Sequence, residues 1–295
     1  MGARAKILAA VGTVAVFTVL GVSSTLSGAG SATAQAPERR TAPATRTAAA
    51  APVLAPPAGP QLEGVTVILY GDSLAWEAKD FFRDRLVAAG VGDVRMKTYG
   101  GTAICDWFDE MQRDAAEVRP DVVVLEFSGN ALTTCMKTLD GRSLRDDRTA
   151  WHDKYVADAQ KVVGIFGPAG TRVYFTGAPR SFSAELVNDP DINWFNSMYQ
   201  SLATYTPRGG YVDAGAAVLR EGRWTDRLPC LPGEPCSGAE GNVVRAPDGG
   251  HFCPDGPDAV RGVTQACSVW SSGAYRYGTT MADGVLSGLQ GPVVG

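Results

Sequence analysis

The chain has 295 residues, 45% of them hydrophobic, with 27 basic against 31 acidic side chains and a net charge of −4. That length allows a substantial domain with its own core. Near-balanced charge without a basic stripe excludes nucleic acid as the expected partner.

The chain opens with Arg4 and Lys6 ahead of an apolar stretch from Ile7 to Val22, followed by small residues ending in Ala34-Gln35-Ala36. A basic start, an apolar middle and an A-x-A-like site mark a secretory signal peptide, residues 1–36. The stretch falls short of the roughly 20 residues that span a bilayer as a helix. Cleavage after Ala36 is the expectation; the alternative is an uncleaved N-terminal anchor, the one expected link to a membrane. Either way the rest of the chain is secreted or otherwise extracytoplasmic. Residues 37–60 are rich in Pro, Ala, Thr and Arg with almost no large apolar side chain, and read as a linker. Residues 61–295 form the expected domain.

Within it, Val65–Tyr70, Val94–Tyr99, Val122–Phe127 and Val173–Gly177 read as strands, with Tyr211–Asp213 a short fifth. The unbroken apolar runs at Val122–Leu125 and Val173–Phe175 suit strands covered on both faces. Three amphipathic stretches lie between them: Ala78, Phe81, Phe82, Leu86 and Ala89; Trp107, Met111, Ala115 and Val118; and Trp151, Tyr155, Ala159, Val162 and Phe166. Alternating strand and helix gives an α/β fold, a parallel sheet with helices on both sides, whose sites form at the carboxyl ends of the strands.

The loops at those ends carry the chemistry. After the first strand comes Gly71-Asp72-Ser73-Leu74. A serine on a strand-to-helix turn sits where orphan N–H groups and the helix dipole favour an oxyanion, although an N-cap serine would look the same. After the second comes Gly100-Gly101-Thr102, which alone is an ordinary turn. After the third comes Ser128-Gly129-Asn130, where the Asn either aims an N–H at developing negative charge or caps the next helix.

A serine nucleophile needs a base that titrates near neutrality, and the chain has two histidines. His152, in Trp151-His152-Asp153-Lys154, reads as a solvated surface residue. His251 ends Asp248-Gly249-Gly250-His251 in a Gly- and Pro-rich loop. In a tight turn Asp248 can accept from Nδ1–H and leave Nε2 for the serine, fixing the tautomer that proton abstraction requires.

Taken together, Gly71-Asp72-Ser73-Leu74, the glycine pair, Gly129-Asn130 and Asp248-x-x-His251 resemble the SGNH (GDSL) hydrolase superfamily, from Val65 to about Leu289 and in the family's order. The resemblance implies a three-layer α/β/α sandwich with a parallel, flavodoxin-like central sheet. It implies a serine esterase, hydrolysing acyl esters through Ser73 as nucleophile with Asp248 and His251 as partners. The implied oxyanion hole is the Ser73 N–H, a glycine N–H (Gly100 or Gly101, with Gly101 favoured) and the Asn130 side chain. Ala131 stands where many members carry an Asp after the Asn, which leaves open how the Asn loop is braced.

The expected substrate is an acyl ester, with acetyl groups on carbohydrate or cell-envelope material favoured and the protein a monomer. No cofactor and no metal are expected, since no CxxC pair exists and two histidines offer little to a zinc site. Trp76, Trp107, Trp194 and Trp224, taken as loop residues, offer faces for sugar rings, although core packing is the commoner fate. Hydrolysis and O-acyl transfer to a sugar hydroxyl would use the same residues; a non-catalytic glycan-binding module is the alternative from another class. The six cysteines, Cys105, Cys135, Cys230, Cys236, Cys253 and Cys267, point to disulfides in an exported chain. The implied fold places the Gly101 and Asn130 loops side by side, which favours Cys105–Cys135, with Cys230–Cys236 and Cys253–Cys267 as local closures. Generic stapling unrelated to a site would use cysteines equally well.

Overall fold

The parallel sheet expected from the apolar runs is present. The computed structural model describes residues 62–187, 189–255 and 267–290. Its central sheet has strands β1 (Thr66–Gly71), β2 (Asp93–Thr98), β3 (Val122–Glu126), β4 (Arg172–Thr176) and β5 (Gly210–Val212). Their order is β2-β1-β3-β4-β5 and every pairing is parallel. Each expected strand lies within one residue of its place. The expected signal segment, residues 1–36, and linker, residues 37–60, lie outside the described residues.

Alternation along each strand splits the core into two layers. From β1, Val67 and Leu69 join one cluster while Ile68 and Tyr70 join the other, and β3 divides Val122 and Val124 from Val123 and Leu125 in the same way. All these side chains are buried, each contributing roughly 1.5–3 kcal/mol of apolar burial for residues of the Val and Leu type. The first layer is covered by α1 (Ser73–Ala88) and α6 (Ser272–Gln290), through Leu74, Ala78, Phe82 and Leu86 of the one and Tyr277, Met281 and Val285 of the other. The second is covered by α2 (Phe108–Glu117), α3 (Arg148–Phe166) and α5 (Asp191–Tyr205), the last preceded by the short α4 (Phe182–Leu186), through Met111, Tyr155, Phe166, Phe195 and Tyr199. This is a three-layer α/β/α sandwich, as expected. Its strand order is flavodoxin-like and reverses between β1 and β3, where such sheets open a ligand crevice at their carboxyl ends.

Helix α6 carries glycines at 273, 278, 284 and 288, which count against a helix by propensity. Close packing accounts for them. A methyl on Gly278 would come within 2.5 Å of the Ala78 carbonyl oxygen, and one on Gly284 within 2.4 Å of Val212 Cγ2. The glycines let α6 lie close against α1 and the sheet edge.

Between β5 and α6 runs a long irregular segment containing a two-strand antiparallel ribbon, β6 (Arg227–Leu228) and β7 (Asn242–Val243). Three disulfides join Cys105–Cys135, Cys230–Cys236 and Cys253–Cys267, the expected pairing. Among the described residues no helix is long and apolar enough to cross a membrane.

Candidate active site

Ser73 is the first residue of α1 and not its cap. Asp72 caps the helix, its Oδ1 accepting the Leu74 amide at 3.0 Å. The Ser73 hydroxyl is therefore free of a capping role. Asp72 is fully buried, and its Oδ2 takes three further hydrogen bonds across the switch point: from the Ser128 amide at 2.8 Å, the Ser128 hydroxyl at 2.7 Å and Asn130 Nδ2 at 3.0 Å. Tyr155 adds a bond from its hydroxyl to the Asn130 carbonyl at 2.8 Å. These contacts answer how the Asn loop is braced without an Asp after Asn130: the brace comes from Asp72, 58 residues earlier. One Asn130 N–H is used in it; the amide's second N–H remains.

His251 reaches the same place from the far end of the domain. Gly249 takes a left-handed conformation, φ 73°, in the turn that the Gly249 amide closes onto the Ala246 carbonyl at 2.9 Å. The Gly249 carbonyl is held by Trp224 Nε1 at 2.8 Å and the Phe182 amide at 2.9 Å. Asp248 then folds back, with Oδ1 accepting the Gly250 and His251 amides at 2.9 and 3.0 Å and Oδ2 lying 2.5 Å from His251 Nδ1. Partial burial pushes the Asp248 carboxyl up, but the two amides and the imidazole outweigh it, and the group lies below the ordinary carboxylate range. A carboxylate can only accept, so Nδ1 carries the proton and Nε2 is left as an acceptor. It lies 2.9 Å from Ser73 Oγ. Ser73, His251 and Asp248 thus form one hydrogen-bonded line across 178 residues of sequence.

Two buried carboxyls stand behind this line. Glu126, at the end of β3, accepts the Ala75 amide at 3.0 Å and the Tyr277 hydroxyl at 3.0 Å. Complete burial, reinforced by the charge on Asp72, pushes it well above the usual carboxylate range. Glu77, one turn after Ser73, is pushed up to about 7, chiefly by burial, with the His251 charge and the Phe252 amide opposing. The sequence motifs give neither a catalytic role. An acidic residue on the apolar face of α1, four positions from Ser73, was the available signal for Glu77.

A cleft of about 360 Å3 opens over Ser73 and His251, lined also by Asn130, Ser181, Arg145 and Trp151. Gly100 and Gly101 form the turn after β2 and are not among its lining residues. That turn is tied to the Ser73 segment by the Tyr99 amide, which donates to the Gly71 carbonyl at 3.1 Å. Cys105–Cys135 joins the loops that follow β2 and β3.

One expectation is corrected. His152 is not a free surface residue: its ring stacks on Trp194 at 3.6 Å, and burial pushes its pKa down. The polar neighbours Asp153 and Lys154 suggested exposure, whereas α5 covers the imidazole. Of the four tryptophans read as loop residues, Trp76 and Trp194 lie in helices, and none of the four lines the cleft. Trp76 lies in α1, Trp107 packs edge-on against Tyr70, Trp194 is stacked on His152 and Trp224 is bonded to Gly249. The tryptophan that lines the cleft is Trp151.

With this geometry, residues 66–264 match the model of a family described as a protein of unknown function, DUF459. The chain belongs to that family. The parallel strand order β2-β1-β3-β4-β5 with the Ser73 and Asn130 loops at the ends of β1 and β3 is the arrangement expected from the resemblance to SGNH hydrolases. No curated protein matches the chain. Among solved structures it is similar to an acetyl xylan esterase, AlAXEase, at 21% identity over 52% of this chain and 78% of that one, with a TM-score of 0.40. A lipase/acylhydrolase from Enterococcus faecalis is 16% identical over 78% of this chain and all of the other, with a TM-score of 0.48. The catalytic domain of peptidoglycan O-acetyltransferase A from Streptococcus pneumoniae is 14% identical over 77% and 96%, with a TM-score of 0.48.

Proposed function

We propose that this protein is an exported serine esterase acting on acyl esters of hydroxylated, carbohydrate-type substrates, with Ser73 as nucleophile, His251 as general base and Asp248 as its orienting partner. The observation that carries the reading is the line Ser73 Oγ–His251 Nε2–Asp248, at 2.9 and 2.5 Å, opening into a cleft at the topological switch point. An N-terminal signal segment and three disulfides support export.

In the proposed cycle His251 Nε2 takes the Ser73 proton as Oγ attacks the ester carbonyl carbon. The oxyanion is held by the Ser73 amide and by the second N–H of Asn130, both at the cleft; the Gly101 amide is carried only by the family resemblance. His251 then gives its proton to the departing alcohol oxygen, and the acyl group stays on Ser73. Water, deprotonated by His251, attacks the acyl carbon and releases the acid. A sugar hydroxyl in place of that water would turn the same cycle into O-acyl transfer. Polar side chains along the cleft, Ser181, Ser183, Asp189 and Arg145, suit a hydroxyl-bearing alcohol, and a volume near the low end for ligand sites suits a short acyl group.

The test is labelling by a fluorophosphonate together with turnover of a chromogenic acetyl ester. Labelling at Ser73 and loss of both signals in Ser73→Ala are expected. A folded protein that takes no label at neutral pH would instead favour a glycan-binding module. Acetylated xylan and peptidoglycan, with and without a sugar acceptor, separate hydrolysis from transfer.

A further inference from the structure

Helix α1 carries a second side chain toward the histidine loop. Glu77 lies four residues after Ser73, so both project from one face of the helix, and Glu77 is only 1% exposed. Its Oε2 accepts the amide of Phe252, the residue directly after His251, at 2.6 Å. On the other side of His251, buried Arg245 donates Nη1 to the Gly250 carbonyl at 3.1 Å and Nη2 to the Arg180 carbonyl at 3.0 Å. The His251 carbonyl accepts the Ala246 amide at 2.7 Å, and the Phe252 carbonyl accepts the Ser271 hydroxyl at 2.7 Å. The peptide groups on either side of the imidazole are therefore held by buried ionisable side chains.

We propose that Glu77 is a positioning residue for the base: by tying the Phe252 amide to the helix that carries Ser73, it sets the separation between Ser73 Oγ and His251 Nε2. The proposal rests on the reading of Ser73 and His251 as nucleophile and base. A loop of glycines and turns has many ways to move its imidazole by an ångström, and such displacements are expensive in rate. A carboxyl acceptor on α1 makes loop and nucleophile move together.

Glu77 is also an ionisable group beside the imidazole. The ionisable groups around it are His251, Asp248 and Arg245 from the histidine loop. From α6 comes Tyr277, whose ring packs on Phe252 and whose hydroxyl is engaged by Glu126. Burial pushes the Glu77 carboxyl up to about 7, so on the acid side it is a neutral group, and glutamine reproduces both its acceptor oxygen and its lack of charge. Rescue by glutamine but not by leucine therefore marks the acceptor, which filling the same space would not supply.

The experiment measures the rate of fluorophosphonate labelling from pH 5 to 9 on the full protein, with thermal melting as the check of folding. Wild type must label and Ser73→Ala must not, which tests the underlying reading separately. Glu77→Gln keeps an acceptor for Phe252 and should label at close to the wild-type rate along the acid limb. Glu77→Leu removes the acceptor and should label about a hundredfold more slowly. A folded Glu77→Leu reacting at the wild-type rate overturns the proposal. Should Glu77→Leu fail to fold, Glu77→Asp decides, because its shorter side chain withdraws the acceptor from the Phe252 amide: a folded Glu77→Asp labelling at the wild-type rate overturns the proposal, as does a folded Glu77→Gln that no longer labels. An unlabelled wild type defeats the reading of Ser73, and this inference falls with it.

Discussion

Asp72→Ala is the perturbation that most directly tests how the site is braced. Asp72 satisfies four donors: the Leu74 amide through Oδ1, and the Ser128 amide, Ser128 hydroxyl and Asn130 Nδ2 through Oδ2. Loss of the helix cap costs about 1 kcal/mol. The Oδ2 partners are only partly buried and can recover some hydration, so they add about 1 kcal/mol each at the low end for unsatisfied donors. The total, about 3–4 kcal/mol, should lower the melting temperature by about 10 °C and leave the domain folded at 25 °C. The larger consequence is for Asn130, whose side chain loses its anchor. If it is an oxyanion donor, kcat/KM should fall by about 10² to 10³, as for removal of the donor itself. Asp72→Asn should be much milder, since its amide can turn its oxygen to Ser128 and Asn130 and sacrifice only the cap. The assay is acetyl-ester hydrolysis by Asp72→Ala, Asn130→Ala and the double variant. Action through Asn130 predicts that the double variant is no worse than Asn130→Ala. Losses that multiply, or a folded Asp72→Ala with unchanged kcat/KM, would refute the reasoning.

Glu77 makes stability depend on pH. Its carboxyl rises from an ordinary 4.5 to about 7 on folding, chiefly through burial. The folded state then binds the proton more tightly, so this contribution is fully present below pH 4.5 and is lost as pH rises through 7. At about 1.4 kcal/mol per pH unit the loss is about 3 kcal/mol, and urea unfolding at pH 5 and 8 should show it in wild type but not in Glu77→Gln. Replacing Cys105 and Cys135 together by Ser opens a loop with a sequence separation of 30. That should cost about 3–4 kcal/mol on the chain-entropy view, or about 10 °C of melting temperature; an unchanged melt would show that packing alone holds the two loops.

Much of the fold was legible because its signals are local. Unbroken apolar runs suit strands covered on both faces, and the strand ends then point to the loops that hold Ser73 and Asn130. Pairing Asp248 with His251 needed only the short turn between them. Helix α5, helix α6 and the β6–β7 ribbon were not foreseen. For α6 the reason is that its glycines read as helix breakers until α1 and Val212 are seen pressed against them.

The sequence by itself determined which chemical groups are available and at which strand ends they stand, since each motif is a turn whose geometry is written in a few adjacent residues. Tertiary structure alone decided what connects them. Asp72 bonds to a loop 56–58 residues away and Glu77 to an amide 175 residues away. His152 turned inward onto Trp194. Contacts of that kind come from the packing of whole layers, and no local stretch of chain contains the information to place them.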